Sequence, residues 1–255
     1  STPKPSSAAS DVYKRQEPMV AIDVDTKQAA LKLFDELAND TDHTPIVKIG
    51  MELYYAFGPG IVREAKQRGF KIFLDLKLYD IPNTVKRAMT AIGKMGGSFV
   101  TTHAAGGSEM LQAAKTGLAE GAKAAGCPMP KLLAITELTS IDDRILHEEQ
   151  HVDFSLIEAV QNYAQLSEKN GLDGVVCSAQ EVKAIREVTG PDFLCVTPGI
   201  RPNLQVHDDQ KRVVTPQQAR ELGSNGIVVG RPITLAEDPV SAYQTIRQAF
   251  MEGEN

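Results

Sequence analysis

Lys71-Ile-Phe-Leu-Asp-Leu-Lys-Leu-Tyr-Asp-Ile-Pro82 is a short apolar run that ends in a turn and hands over to an amphipathic stretch, 82–96. The run reads as a strand, Asp80 as the turn that stops it, and Pro82 as the start of a helix. The same pairing recurs along the chain. Apolar runs rich in Val, Ile and Leu occupy 19–24, 46–50, 71–77, 99–104, 131–136, 174–178, 193–197 and 226–230. Helix-like segments accompany them at 26–39, 58–68, 82–96, 107–125, 153–170, 179–189, 215–224 and 239–251. Continuous apolar runs alternating with helices predict a parallel sheet buried on both faces. About eight βα units in series favour an α/β fold closed as a (β/α)8 TIM barrel, with an open doubly wound sheet as the alternative.

No linker-like shift interrupts the series, so 19–255 is expected to be a single barrel domain. Residues 1–18, STPKPSSAASDVYKRQEP, are rich in Ser, Ala and Pro with no apolar period. They are expected to be a disordered leader or a remnant outside the fold. Two connections are long and polar, 137–152 after the fifth strand and 199–214 after the seventh. In a barrel both lie on the C-terminal face, where active sites are built.

The run 71–77 carries two charges in its apolar core. Side chains alternate along a strand, so Asp75 and Lys77 share one face while Leu74, Leu76 and Leu78 occupy the other. With the leucines against the helices, the charged pair points into the barrel near its top, and Asp80 adds a carboxylate just past the strand. Burying unpaired charge is expensive, so the cluster suits proton transfer beside a developing carbanion. A structural ion pair capping the strand is the plainer alternative. Asp23 and Lys48 also interrupt apolar runs, and with Asp75, Lys77 and Asp80 they form a constellation that favours catalysis.

The seventh run ends Val196-Thr-Pro-Gly-Ile-Arg201 and the eighth continues Val228-Val-Gly-Arg-Pro-Ile233. Glycine amides and an Arg after these two strands suit a phosphate, with Arg231 as a bidentate donor; turn glycines are the simpler reading. His103 closes the fourth run and is expected to orient its neighbours. His147-Glu-Glu-Gln-His151 matches a zinc motif, but it falls in a polar loop without a third ligand, so no metal is expected. No G-x-x-x-x-G-K-[ST] or G-x-G-x-x-G sequence is present, which removes the usual support for nucleoside triphosphate or dinucleotide use.

Composition narrows the partners. Of 255 residues, 33 are acidic and 27 basic, giving a net charge of −6, and 5% are aromatic with no Trp. Such a chain lacks the basic field and stacking surface of a general nucleic-acid binder. No stretch approaches the ~20 apolar residues of a membrane span. The three cysteines, Cys127, Cys177 and Cys195, are widely spaced in small or apolar sequence and suit a reducing cytosol, so a cytoplasmic location is expected.

Over 19–250 the sequence resembles the orotidine 5′-monophosphate decarboxylase family, its bacterial branch in particular. The resemblance rests on Asp75-Leu-Lys-Leu-Tyr-Asp-Ile-Pro82, His103-Ala-Ala-Gly-Gly107, Leu138-Thr-Ser140, Thr197-Pro-Gly-Ile-Arg201 and Val228-Val-Gly-Arg231. It implies decarboxylation of orotidine 5′-phosphate to UMP and CO2, the last step of UMP synthesis, by a homodimer with no metal or cofactor. Matched to the family, Lys77 is the proton donor to C6, Asp75 sits against the substrate carboxylate, and Lys48 completes the network while contacting the ribose. Asp23 holds the ribose hydroxyls. Asp80, Ile81 and Thr84 match positions that reach into the partner's site. Thr136 and Ser140 match positions near the pyrimidine. Pro198 matches a substrate-binding position, Arg201, Gln210, Gly230 and Arg231 fall in the region that holds the phosphate, and the two long loops become lids. Sister barrels that share the D-x-K-x-x-D core act on sugar-phosphate enediolates with Mg²⁺, and a catalytically silent binding protein is the alternative of another class.

Overall fold

A computed structural model describes residues 15–40, 43–202 and 212–252. Eight parallel strands close into a barrel in sequence order: β1 Met19–Ala21, β2 Ile46–Gly50, β3 Lys71–Leu78, β4 Phe99–His103, β5 Lys131–Ile135, β6 Gly174–Val176, β7 Leu194–Thr197 and β8 Gly226–Val229. Closure is direct, with Met19 and Val20 of β1 in register with Val228 and Val229 of β8. The outer ring comprises α1 Lys27–Leu37, α2 Met51–Phe57, α3 Pro59–Gln67, α4 Pro82–Met95, α5 Gly107–Ala125, α6 Leu156–Lys169, α7 Val182–Val188, α8 Pro216–Glu221, α9 Arg231–Thr234 and α10 Pro239–Met251. The closed barrel replaces the open-sheet alternative.

Side-chain alternation separates two cores. Met19, Ala21, Ile46, Phe73, Phe99, Leu133, Leu194, Val196 and Val228 fill the barrel interior. Phe73 and Phe99 meet there edge to face, with centroids 5.9 Å apart. The alternate residues, Leu74 and Leu76 among them, pack with the helices in the larger core. Helix starts follow local chemistry: Thr26 accepts a bond from the Ala29 amide, and Ser155 with Glu158 and Thr215 with Gln218 form reciprocal capping boxes. Pro leads α3, α4, α8 and α10, where a missing N–H leaves no bond unmade.

The helices α4 and α5 approach unusually closely because glycines line the contact. A Cβ on Gly117 would lie 2.1 Å from the Lys86 carbonyl oxygen, and one on Gly121 would lie 2.2 Å from that of Thr90.

Several expectations need correction. The helix α2 was not foreseen, because seven residues directly after a strand glycine show too little periodicity to stand out. The stretch 179–189 divides into a 3₁₀ turn, Ala179–Glu181, and α7. The first strand ends at Ala21, so Asp23 lies beyond it rather than within it. Gln16 and Glu17, placed in the leader, are attached to the barrel. The Gln16 amide donates to the Asn225 carbonyl (2.6 Å), and Glu17 accepts from Arg247 (2.8 and 3.1 Å) and from the Tyr243 hydroxyl (3.3 Å). Polar sequence hid this anchorage, which depends on partners more than 200 residues away in the chain. Among the described residues no helix is long and apolar enough to cross a membrane.

Candidate active site

The C-terminal mouth of the barrel holds a cavity of about 440 Å³, walled by residues from the ends of most strands. Its floor is Phe73, Ile135, Val176 and Val228, and its charged wall is Asp23, Lys48, Asp75 and Lys77. Asp75 and Lys48 are buried, at 9% and 8% exposure, inside an otherwise apolar barrel. The Lys77 Nζ donates to Asp75 Oδ2 at 2.8 Å, Lys48 Nζ stands 3.7 Å from the same oxygen, and Lys48 also donates to Asp23 Oδ1 at 3.0 Å. Four groups thus alternate in sign: Asp23, Lys48, Asp75, Lys77.

Burial alone would push the Asp75 carboxyl up. The adjacent Lys48 and Lys77 ammonium groups, with hydrogen bonds from Lys77 and Thr101, reverse this and hold it below the ordinary 3.8. Asp75 is therefore a carboxylate and the lysines its counter-charges. His103 is pushed below its ordinary value by burial and by Lys77, which favours the neutral ring; it stacks on Tyr79 with centroids 5.6 Å apart.

Local backbone geometry aims Lys77. Register slips on β3, which pairs Leu74 with Val100 but Leu78 with Thr102, and Lys77 at the bulge has φ +50°. A left-handed non-glycine residue in a strand is strained by about 1–3 kcal/mol and needs surroundings that hold it there. Thr101 does so: the Lys77 amide donates to its Oγ1 (2.9 Å), and that hydroxyl donates to Asp75 Oδ1 (3.0 Å). Gly50 has a similar supporting role, since a Cβ there would sit 3.1 Å from Lys48 Nζ and 3.2 Å from Asp23 Oδ1.

Pro198, Gly199, Arg201, Gly230, Arg231 and Thr234 form the wall contributed by the seventh and eighth units, which adjoins the charges because β8 pairs with β1: a Cβ on Gly230 would lie 3.9 Å from Asp23 Oδ2. Gly230 caps α9 and Arg231 is its first residue. Arg201 is buried and donates to the Ile200 carbonyl at 2.9 Å. Of the expected site residues, Asp23, Lys48, Asp75, Lys77, Pro198, Arg201, Gly230 and Arg231 meet at this cavity.

Others do not. Asp80 is exposed and accepts from the Ile81 amide (2.6 Å), and Ile81 and Thr84 are exposed beside it, all away from the cavity wall of their own chain. Thr136 is buried with its hydroxyl donating to the Val176 carbonyl at 3.3 Å, and Ser140 is exposed; neither lines the cavity. Gln210 lies outside the described residues. His147 Nε2 pairs with the Phe154 carbonyl oxygen at 2.9 Å.

Sequence reading missed Thr101, Gly50 and the wall residues Glu137, Leu138, Thr139, Cys177 and Thr234. Inward alternation with Phe99 and His103 was available for Thr101, but a threonine in a strand reads as simple β-propensity. Glu137 is 9% exposed, and burial pushes its carboxyl up, with Glu181 adding to the effect against the Gln150 hydrogen bond and Arg212. The neighbouring Cys195 thiol and burial push the Cys177 thiol well up.

Comparison with known proteins agrees with the geometry. A family model described as orotidine 5′-phosphate decarboxylase / HUMPS family matches residues 16–246. A protein of Latilactobacillus sakei called orotidine 5′-phosphate decarboxylase is 56% identical over 209 residues, 82% of this chain and 87% of that one. One of the same name from Lactiplantibacillus plantarum is 53% identical over 228 residues, 89% of this chain and 95% of its own. The crystal structure of orotidine 5′-phosphate decarboxylase from Lactobacillus acidophilus superposes with a TM-score of 0.82 at 46% identity, covering 92% of this chain and 100% of that one.

Proposed function

Because this chain belongs to the orotidine 5′-phosphate decarboxylase / HUMPS family, we propose that it decarboxylates orotidine 5′-phosphate to UMP in pyrimidine biosynthesis, using its own side chains alone. The observation that carries the reading is Lys77 Nζ held 2.8 Å from a buried carboxylate on the charged wall of the cavity.

The reaction breaks the bond between C6 of the pyrimidine and its carboxylate. CO2 leaves, the electron pair stays on C6 in the ring plane, and no neighbouring group delocalises it. A cation fixed beside C6 stabilises that pair as it develops, and a proton from the same cation completes UMP. Lys77 serves both purposes: Asp75 holds its Nζ at 2.8 Å, and the bulge at Lys77 directs it. Solvent then returns the proton to Lys77. Asp75 meets the substrate carboxylate as a like charge and loses that repulsion when CO2 departs. Lys48 and Asp23 take the ribose, while Gly230, Arg231 and Arg201 take the phosphate. Phosphate binding far from C6 supplies energy that orients the base over Lys77.

A second copy of the chain completes the site. Asp80, Ile81 and Thr84 are exposed where α4 begins, and Tyr79 and Ile81 leave 62% and 67% of their surface open. Apolar exposure of this kind supports a partner face, and the homodimer carries Asp80 into the neighbouring cavity.

The test is direct. Protein dialysed against EDTA and given orotidine 5′-phosphate is expected to form UMP and CO2 in equal amounts, followed by ultraviolet absorbance and trapped CO2. Turnover that disappears in EDTA and returns with Mg²⁺ would replace this reading with metal-dependent chemistry.

A further inference from the structure

Arg212 belongs to none of the groups assigned to substrate, yet it touches three connections at the mouth of the barrel. Its Nη1 is paired with Glu181, which follows β6, and its Nε and Nη2 donate to the Thr139 and Leu138 carbonyls after β5, at 3.4 and 3.3 Å. It is carried by the connection after β7. Two residues later, Val214 accepts from the Arg201 amide (2.9 Å) and donates to the Gly199 carbonyl (3.1 Å). Gly199 and Arg201 are on the phosphate side of the cavity, and Leu138 and Thr139 line it from the connection after β5. Glu181 is itself fixed: its side chain is 2% exposed and its other oxygen accepts from the Ser178 amide at 2.9 Å. A buried carboxylate held on both oxygens is an anchor, and the planar guanidinium fork is the group able to serve it and two carbonyls at once.

We infer that Arg212 is a positioning residue that sets the width of the cavity, fixing the Leu138–Thr139 wall to the Glu181 anchor and to the connection after β7 that carries Gly199 and Arg201. The inference rests on the reading that orotidine 5′-phosphate occupies this cavity. Without Arg212 the Leu138 and Thr139 carbonyls lose their tie to the Glu181 anchor, the Leu138 carbonyl keeping only its local bond from the Ile141 amide (2.8 Å); the wall then moves independently of the phosphate side, and substrate binds to a site that must first be assembled.

Arg212→Met leaves Glu181 a buried, unpaired carboxylate and risks unfolding. The working variant is therefore the double Arg212→Met, Glu181→Gln, in which the amide oxygen still accepts from Ser178. It is expected to melt close to the unaltered protein, while KM for orotidine 5′-phosphate rises about tenfold or more and kcat stays within about threefold. Amide hydrogen exchange across 138–141 in the ligand-free protein should quicken about tenfold. A double variant with both KM and exchange within about twofold of the unaltered values would overturn the inference, since Arg212 would then only neutralise Glu181. If the unaltered protein fails to turn over orotidine 5′-phosphate, the functional reading falls by itself. Exchange still decides for Arg212: faster exchange supports it and unchanged exchange overturns it.

Discussion

Lys77 combines two features that seldom coincide, a left-handed backbone and a half-buried ammonium, with φ +50° and 25% side-chain exposure. The bulge frees its amide, Thr101 takes that amide, and the same hydroxyl orients Asp75, so one threonine serves both members of the ion pair. The face shared by Asp75 and Lys77 was legible from period-two alternation. The bulge was not, because register against β4 depends on which residue the neighbouring strand presents, and Thr101 lies 24 residues from Lys77. Asp75 carries a pH signature. Its carboxyl is held below 3.8 in the folded chain, so the stability it contributes is complete above the unfolded value and is lost as pH falls through the folded one. Melting temperatures of Asp75→Asn should therefore fall less steeply than those of the unaltered protein as pH drops below about 4. Superimposable slopes would mean that the lysines do not depress Asp75.

Helices and strands were legible where burial on two sides produces uninterrupted apolar runs, as in Ile46–Gly50 and Lys131–Ile135, both placed to within a residue. Strand ends were less so: β1 stops at Ala21, although Ile22 still donates to the Lys48 carbonyl at 3.0 Å. The tight seam between α4 and α5 is an element-level property that composition conceals, since glycine in a helix interior ordinarily signals weakness. Here it allows backbone to meet backbone. Ala at Gly117 would gain about 1 kcal/mol of helix propensity but would place a methyl 2.1 Å from a carbonyl oxygen. Shifting packed backbone outweighs that gain, so Gly117→Ala is expected to lower stability by about 1–3 kcal/mol in urea denaturation, with kcat little changed. A stabilised variant would show that the seam opens freely.

At the level of the whole molecule, a net charge of −6 coexists with a site for an anionic ligand. Lys48, Lys77, Arg201 and Arg231 come together at one rim from separate strand ends, so the local field and not the total charge decides what enters. Asp80 was legible as part of a charged motif, and its exposed position beside α4, away from the cavity of its own chain, fits the proposed dimer. Asp80→Ala should abolish turnover, and mixing it with inactive Lys77→Ala chains should restore about a quarter of the unaltered activity, because half the dimers then hold one intact site. No recovery after subunit exchange would place Asp80 in its own chain's chemistry. The role of Lys77 is tested most directly by comparing kcat and UMP affinity in Lys77→Ala. Loss of kcat by at least about 10³-fold with UMP binding within about tenfold is expected if the ammonium stabilises and protonates C6. Decarboxylation within about tenfold of the unaltered rate would show that another group stabilises the carbanion.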